Sequence, residues 1–441
     1  GGVAMKREAM AKLIEWKEDP DHLPLIIRGA RQVGKTWLMK EFGRNHFNNV
    51  AYINFENNPR MGALFASDFD LSRILLGLEI ETNMEISAAD TLLIFDEIQE
   101  VPQALSALKY FRENAPEYSI LAAGSLLGVA LHADTSFPVG KVDFMDLYPM
   151  NYPEFLEATG NGRLLQLLED QKWDLIHTFR EKYIDLLRQY YVVGGMPEVV
   201  ASFVSDGLKN VRQIQTRLLT AYELDFSKHA PNAVVPRIRQ LWNSIPAQLS
   251  KENRKFIYKL VQEGARAREY ELAMQWMVDC GLIQQVHRVS KPNVPLSSYM
   301  DLKAFKIFTL DVGLLAAQSG LDVQTILEGD KIFTEFKGAL TEQYVLQQLV
   351  SRSFKPYSWN SAGTELDFLL QISSGILPIE VKAEENLKAK SLRSFAERYN
   401  PERSLRTSMS NYREESWLTN VPLYSITLLD EYIKTWTIKD I

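Results

Sequence analysis

The chain has 441 residues, which at roughly 100–200 residues per domain predicts two to four domains. Apolar residues make up 46% and charged residues 24%, as in ordinary globular proteins, and the net charge of -7 excludes a chain that is basic throughout, so any nucleic-acid surface has to be a local patch. The single cysteine, Cys280, excludes an internal disulfide, and no apolar run reaches the roughly 18 residues needed to span a bilayer, so we expect a cytoplasmic protein without a membrane partner.

The first third of the sequence alternates short apolar runs with segments of helical spacing. The predicted strands are residues 25–27, 50–55, 91–95 and 120–123, and the predicted helices are residues 5–17, 36–42 and 102–114. Strands that alternate with helices predict a parallel sheet covered by helices on both faces. We assign this α/β fold to one domain at residues 1–150.

Three further regions are predicted in the rest of the chain. Helical spacing dominates at first, and it is followed by two or three helices and by strands at residues 282–289 and 305–310, the element order of a winged helix. A long helix and two more strands complete the chain. The predicted regions are a helical lid at residues 151–235, a winged-helix-like region at residues 236–310 and an α/β domain at residues 311–441.

A glycine-rich loop separates the first predicted strand from the helix that follows. Gly29 and Gly34 allow the backbone to point its N–H groups at phosphates. Lys35 supplies a positive charge to the β- and γ-phosphates, and Thr36 offers a hydroxyl to Mg²⁺ at the N-terminus of a helix. The predicted ATP-binding residues are Gly29, Ala30, Arg31, Gln32, Val33, Gly34, Lys35 and Thr36. This loop, between a strand and a helix, predicts that residues 1–150 form a P-loop NTPase-like domain.

Polar residues also end two of the later apolar strands. We expect Asp96 to bind Mg²⁺ and Glu97 to orient the attacking water, because both follow the buried strand at residues 91–95. Ser125 ends the next strand, where P-loop ATPases with an additional central strand place a γ-phosphate sensor. Glu97, Lys35 and Ser125 are therefore the predicted catalytic residues; the alternative is a buried strand with exposed acids at its end and a serine in a plain turn.

These motifs resemble those of prokaryotic AAA-type ATPases of the AAA_14 group, whose usual companion is a C-terminal domain of unknown function called DUF4143. The segments that carry the resemblance are residues 29–36, 95–100, 123–125, 148–150 and 154–156 for the ATPase, and residues 310–315 and 335–346 for the companion. The resemblance covers nearly the whole chain and implies a Mg²⁺-dependent ATPase. The family commonly has arginine after the glycine at position 140, where this chain has Lys141, so Lys141, Arg112 and Arg31 all stay candidates for a finger cation.

Acidic residues recur on two predicted strands near the C-terminus, at residues 366–371 and 376–381. Asp367 lies on the first, and Glu380 and Lys382 lie on one face at the end of the second. Carboxylates beside a lysine can bind Mg²⁺ and position a water, and the pattern resembles the PD-(D/E)XK nuclease core. Glu342 on the preceding helix is then the helix acid, with Glu335 as the alternative. A plain ion pair on a strand, in a fold that has lost its chemistry, explains the same residues.

Basic residues are concentrated in the winged-helix-like region. Lys251, Arg254, Lys255, Lys259, Arg266 and Arg268 fall close together in the sequence. They could contact DNA phosphates, although the acidic residues on the following helix make base-specific reading unfavourable. A solvated surface or a protein interface fits equally well.

Two functions follow from these patterns. The first is an ATPase whose nucleotide state controls a DNA-binding or nuclease-like C-terminal half. The alternative is a nucleotide-dependent switch that binds a protein partner through a catalytically inactive docking domain. Because AAA-type sites often need a neighbour's arginine, a homo-oligomer is plausible.

Overall fold

The chain divides by its packing into two units, each with its own sheet. The computed structural model describes residues 5–125, 140–250, 255–328, 334–383 and 388–439. The N-terminal unit contains residues 6–148 together with the short segment 279–282, and the C-terminal unit contains residues 149–278 and the chain from 283 onward.

The N-terminal unit is built on a five-stranded sheet in the order β2-β3-β4-β1-β5. All of its strand pairs are parallel. The strands are β1 (Leu25–Arg28), β2 (Asn49–Asn54), β3 (Thr91–Asp96), β4 (Ser119–Gly124) and β5 (Asp143–Asp146), and the helices are α1 (Ala9–Glu18), α2 (Lys35–His46), α3 (Pro59–Ser67), α4 (Leu71–Thr82) and α5 (Pro102–Asn114). The predicted parallel sheet is confirmed.

The two most apolar strands, β3 and β4, lie in the core of this unit. Every residue of β3 and β4 is buried, as expected for strands covered on both faces. Aromatic side chains pack across one face, with Phe55 and Phe95 in an edge-to-face contact at 5.5 Å between ring centroids. The strand β5 has no such apolar signal, because it is a four-residue edge strand with acidic residues at both ends, and the sequence analysis did not predict it.

The C-terminal unit begins with a run of helices, and further helices alternate with its strands. They are α6 (Tyr152–Ala158), α7 (Gly162–Glu169), α8 (Trp173–Thr178), α9 (Arg180–Val193), α10 (Pro197–Asp206), α11 (Val211–His229), α12 (Val235–Leu249), α13 (Ala267–Asp279), α14 (Val312–Gln318), α15 (Val323–Glu328), α16 (Thr334–Ser351), α17 (Lys390–Tyr399) and α18 (Leu429–Lys439). Short 3-10 helices over the two units lie at Ile98–Glu100, Gly207–Asn210, Tyr258–Leu260, Leu296–Tyr299 and Leu423–Leu428. No helix among the residues that the structure describes is both long and apolar enough to span a membrane.

An eight-stranded sheet completes the C-terminal unit, in the order β12-β13-β11-β10-β9-β8-β6-β7. Its strands are β6 (Ile283–Val289), β7 (Met300–Thr309), β8 (Tyr357–Ser361), β9 (Thr364–Ile372), β10 (Gly375–Val381), β11 (Ser404–Ser408), β12 (Arg413–Glu414) and β13 (Leu418–Pro422). The strands β8, β9 and β10 are antiparallel neighbours, and β11 joins β10 in parallel after the helix α17. The resulting order is helix, three strands, helix, strand.

The two strands expected to form a wing are part of this sheet. They pair with each other in antiparallel fashion, and β6 also pairs with β8 through Arg288 and Ser358. The hairpin therefore extends the C-terminal sheet instead of standing apart from it. Sequence periodicity could not show this pairing, because a strand's alternation marks its buried face and not its neighbour.

Candidate functional site

The glycine-rich loop connects the end of β1 to the start of α2. Gly34 caps the helix with a left-handed backbone at φ 101°, and Gln32 also has a positive φ of 70°. Gly29 is required for a different reason, since a Cβ atom there would lie 2.5 Å from the carbonyl oxygen of Leu147. The two glycines thus give the loop its curvature and its close approach to the neighbouring chain.

Lys35 lies inside the loop that it belongs to. Its Nζ donates hydrogen bonds to the carbonyl oxygens of Gly29, at 2.8 Å, and Ala30, at 2.7 Å. Burial lowers the pKa of Lys35 from its usual 10.5 to about 8, although the nearby carboxylates of Glu97 and Asp96 oppose that shift. The loop carbonyls therefore stabilise the ammonium group of Lys35. The phosphates of a bound nucleotide would replace these carbonyls as its partners.

Thr36 and Asp96 meet across the sheet. The Thr36 hydroxyl donates a 2.5 Å hydrogen bond to Asp96 Oδ2, and the Tyr52 hydroxyl donates another at 2.7 Å to the same oxygen. Burial, followed by the hydrogen bond to Asp96, raises the pKa of Tyr52. A hydroxyl and a carboxylate so close together are hard oxygen donors of the kind that Mg²⁺ prefers, so these residues fit the cation. The sequence analysis missed Tyr52, which lies in the middle of β2.

Glu97 follows directly after Asp96 and has an unusual backbone. Its φ of 53° is in the left-handed region, which costs a non-glycine residue energy, and residues strained in this way cluster at active sites. Its Oε2 accepts hydrogen bonds from Gln99 Nε2, at 2.6 Å, and from Ser125 Oγ, at 3.3 Å. The predicted water-orienting acid and the predicted sensor are therefore neighbours.

Strand order explains why these residues converge. The strand β4 lies between β1 and β3, and the register pairs Arg28 with Gly124 and Asp96 with Ala123. The carboxyl ends of three parallel strands thus meet at one edge, as in other open α/β sheets. The loop, Asp96, Glu97 and Ser125 all follow these ends.

The C-terminal acidic residues form a second, separate group. Glu380 Oε1 lies 3.2 Å from Lys382 Nζ, and Asp367 Oδ2 accepts a 2.8 Å hydrogen bond from the backbone N–H of Val381. Burial raises the pKa of Glu380; Lys382 opposes this effect and Asp367 adds to it. The structure therefore brings Asp367, Glu380 and Lys382 together, as the hairpin of β9 and β10 predicts.

Glu342 has a different partner. Its Oε1 lies 3.0 Å from the Nζ of Lys306, a lysine on β7 that the sequence analysis did not single out. Glu335, the alternative helix acid, lies outside the residues whose side chains the structure describes. Across the described ranges, no three His, Cys, Asp or Glu side chains come close enough together to bind a metal ion. The helix acid therefore does not join Asp367 and Glu380 in a ligand set.

Comparison with protein families assigns most of the chain. Residues 21–156 match the AAA domain family AAA_14. The N-terminal part of this protein is an AAA domain. Residues 337–426 match a domain of unknown function, DUF4143, and residues 184–325 match another, DUF8612. The segment 310–315, which the sequence analysis attributed to DUF4143, falls within the DUF8612 match.

Solved structures show only distant similarity to the chain. The Walker-type ATPase PABY2304 of Pyrococcus abyssi is 15% identical, with a TM-score of 0.45 over 71% of this chain and 96% of its own. The Aeropyrum pernix Orc1 protein in complex with DNA is 12% identical, with a TM-score of 0.30 over 76% and 95%. The Thermotoga maritima RuvB Holliday junction branch migration motor is 12% identical, with a TM-score of 0.30 over 64% and 89%. Among curated proteins, none matches.

The candidate finger cations of the AAA domain have their own surroundings. Lys141 Nζ lies 3.7 Å from Glu113 Oε1, with both side chains partly exposed. Arg112 is in the last turn of α5, and Arg31 is in the loop itself, where its charge contributes to lowering the pKa of Lys35. The residues 126–139 that precede Lys141 lie outside the described part of the chain.

Arg7 is a buried residue that contacts the loop of the AAA domain, a role that the sequence did not predict. Its guanidinium donates a 2.9 Å hydrogen bond to the carbonyl oxygen of Val33, inside the loop, and another at 2.5 Å to that of Tyr148. It thus connects the loop to the chain that leaves β5. A lone arginine before the first helix gave no sequence signal for this role.

The segment 279–282 also packs with the AAA domain. Gly281 has a positive φ of 74°, and a Cβ atom there would lie 3.3 Å from the backbone nitrogen of Ala30, in the loop. The chain reaches this turn from α13 and leaves it into β6. A short turn close to the phosphate-binding loop is therefore continuous with the DUF8612 region.

Proposed function

We propose that the AAA domain binds ATP with Mg²⁺ and hydrolyses it. The observation that supports this most strongly is the pair of contacts at one sheet edge, Thr36 with Asp96 and Ser125 with Glu97. In the proposed complex, the loop N–H groups and Lys35 bind the phosphates, and Thr36 and Asp96 bind Mg²⁺. When bound, Mg²⁺ would neutralise the charge that develops on the phosphate oxygens.

Glu97 is the proposed base in this reaction. The oxygen of a water molecule forms a bond to the γ-phosphorus, the bond to the β–γ bridging oxygen breaks, and Glu97 accepts the water's proton. Gln99 and Ser125 orient the carboxylate by binding its Oε2. Ser125 is also the proposed γ-phosphate sensor, and its hydrogen bond to the proposed base supports that role.

Steady-state ATP hydrolysis by the full chain tests this proposal. We expect ADP release that depends on Mg²⁺ and stops in EDTA. Lys35→Ala should also weaken ATP binding, because the loop then loses its charge. A Lys35→Ala protein that binds ATP as tightly as the wild type would contradict the assignment of the loop.

We further propose that nucleotide state controls the C-terminal half. What supports this is the turn at residues 279–282, which packs with the AAA domain beside Ala30 and continues into β6. A change at the loop would reach β6 through this turn. DNA affinity measured with ATP and with ADP tests the proposal, since control requires that the two affinities differ.

DNA binding is the first candidate activity for that half. Lys255, Lys259, Arg266 and Arg268 are exposed, as phosphate contacts require, whereas Lys251 and Arg254 lie outside the described residues. When a protein binds DNA through phosphate contacts, the logarithm of the affinity falls linearly with the logarithm of the salt concentration. A DNA affinity that falls steeply between 50 and 200 mM salt, roughly the range over which such contacts are lost, would support this candidate.

Protein docking is the second candidate, and the helix α13 favours it. Glu269 and Glu271 are exposed on this helix and would face DNA phosphates with the wrong charge. A nucleotide-dependent switch with a docking domain needs no contact with phosphates. It predicts slow ATP turnover and no salt-sensitive DNA binding.

We also propose that the ATPase works as a homo-oligomer. Lys141, the candidate cation after Gly140, lies close to Glu113 on its own domain. A second copy of the chain would then supply the cation that stabilises the transition state. The specific ATPase activity should rise with protein concentration; activity that is independent of concentration over a hundredfold range would contradict this.

A further inference from the structure

A buried ion pair lies at the centre of the nuclease-like arrangement in the C-terminal unit. Lys306 on β7 is 4% exposed and Glu342 on α16 is 1% exposed. Their charged groups are 3.0 Å apart, and Lys306 Nζ also donates a 3.3 Å hydrogen bond to the backbone carbonyl oxygen of Asp367. The ammonium group therefore lies between the helix acid and the strand that carries the next acid.

Each member of this pair requires the other. Lysine and glutamate are almost never fully buried unless they are paired, because an isolated buried charge is very costly. A divalent cation at Glu342 would have to displace the Lys306 ammonium group. The Lys306 ammonium group would then be buried beside the divalent cation and would have lost the carboxylate of Glu342 as its partner.

The other two carboxylates also have partners within the chain. Asp367 Oδ2 accepts the backbone N–H of Val381, and Glu380 Oε1 binds Lys382. Glu380 Oε2 is buried and has no hydrogen-bond partner among the described residues, so this oxygen is open to a ligand. Two of the three carboxylates, Glu342 and Glu380, thus already hold a lysine ammonium group that a divalent metal would have to displace.

We infer that Lys306 is a built-in counter-cation, which takes the place that a divalent metal has in a nuclease-like centre. Glu342, Asp367 and Glu380 then do not bind a metal ion, and this centre does not catalyse metal-dependent phosphodiester cleavage. This inference rests on the geometry of the C-terminal unit and holds whether or not the AAA domain hydrolyses ATP.

Binding of Mn²⁺ to the nucleotide-free full chain, measured by electron paramagnetic resonance, tests this inference. The Asp96→Asn variant removes the carboxylate of the AAA domain that could bind the ion. We compare it with Asp96→Asn/Glu380→Gln and Asp96→Asn/Asp367→Asn, with folding checked by circular dichroism. Equal Mn²⁺ uptake by all three supports the inference. Lower uptake in either double variant would overturn it.

The ion pair is tested separately by thermal unfolding. Lys306→Met should lower the Tm, because Glu342 is left buried without its cation, and the double variant Lys306→Met/Glu342→Gln should recover most of the loss. Lys303→Met is the control, since Lys303 is exposed on the same strand. A Lys306→Met protein with the wild-type Tm, or a loss that Glu342→Gln does not reduce, would overturn the role of Lys306.

Discussion

The hydroxyl of Thr36 donates a hydrogen bond to the carboxylate of Asp96 at 2.5 Å, although β1, which precedes the loop of Thr36, and β3, which ends at Asp96, are not neighbours. The strand β4 lies between β1 and β3, and Ser125 at its end lies next to Glu97. Groups that would bind Mg²⁺ and groups that would position water therefore lie together at one sheet edge. Such preorganisation is the main source of catalysis in phosphoryl transfer.

Nucleotide affinity should fall as pH rises above 8. The pKa of Lys35 is about 8, and the phosphates bind its charged form, so each further pH unit lowers the competent fraction about tenfold. An ADP titration between pH 7 and 9.5 measures this. Lys35→Met is the control, and its weaker binding should show little change over this range; a wild-type affinity that is constant up to pH 9.5 would contradict the lowered pKa.

The same shift predicts a stability effect of defined sign. Lys35 has a lower pKa in the folded protein, about 8, than in the unfolded chain, where 10.5 is usual. The unfolded state therefore binds more protons between these values, and the contribution of Lys35 to the free energy of unfolding rises with pH across that window. Urea unfolding of the wild type and Lys35→Met at pH 7.5 and 10 checks this. The free energy of unfolding of the wild type, relative to that of Lys35→Met, should be higher at pH 10 than at pH 7.5.

Gly29→Ala should destabilise the AAA domain. The new Cβ atom would lie 2.5 Å from the carbonyl oxygen of Leu147, a backbone atom that cannot rotate away. Overpacking of this kind costs about 1–3 kcal/mol. Gly62→Ala is the matched control, because no atom lies within 4 Å of its Cβ position, and it should be neutral or stabilising. Equal unfolding midpoints for the two variants in urea would show that the loop is free to move.

Tyr52→Phe should weaken the Mg²⁺ dependence of ATP hydrolysis. The phenol donates a 2.7 Å hydrogen bond to Asp96 Oδ2, and a hydrogen bond to a charged group contributes about 1.5–3 kcal/mol. We expect at least a fivefold higher Mg²⁺ concentration at half-maximal activity. Tyr110→Phe, in a side chain that stacks on Phe69, is the control. Identical Mg²⁺ curves for wild type and Tyr52→Phe would exclude a positioning role for this phenol.

Gly281→Ala should lower nucleotide affinity, whereas Gly264→Ala should not. Both glycines have positive φ values, 74° and 76°, so alanine strains the backbone at each by roughly 1–2 kcal/mol. Only at Gly281 would the new Cβ atom approach Ala30 in the loop, at 3.3 Å from its nitrogen; at Gly264 it meets open space. The affinity of each variant for a fluorescent ADP analogue compares the two. Equal affinities would show that the turn at residues 279–282 does not affect nucleotide binding.

Local sequence signals predicted part of this structure well. The apolar runs of β3 and β4 are buried along their whole length, so the parallel sheet and the residues at its edge followed from pattern and spacing. The roles of Tyr52, Arg7 and Lys306 could not be predicted, because each depends on a partner distant in the sequence. Lys306 differs most from expectation: a strand lysine usually indicates an exposed face, and here it is buried against a glutamate on another element.

Single-turnover ATP hydrolysis by Glu97→Gln tests the central claim most directly. We expect the cleavage rate to fall at least a hundredfold, the usual order for loss of a general base, while ATP binding stays within about threefold of wild type. The control is Glu100→Gln, at an exposed position of the 3-10 helix that follows Glu97 (Ile98–Glu100), and this variant should cleave ATP at the wild-type rate. Cleavage by Glu97→Gln at the rate of Glu100→Gln would contradict the account, because the site would then hydrolyse ATP without its proposed base.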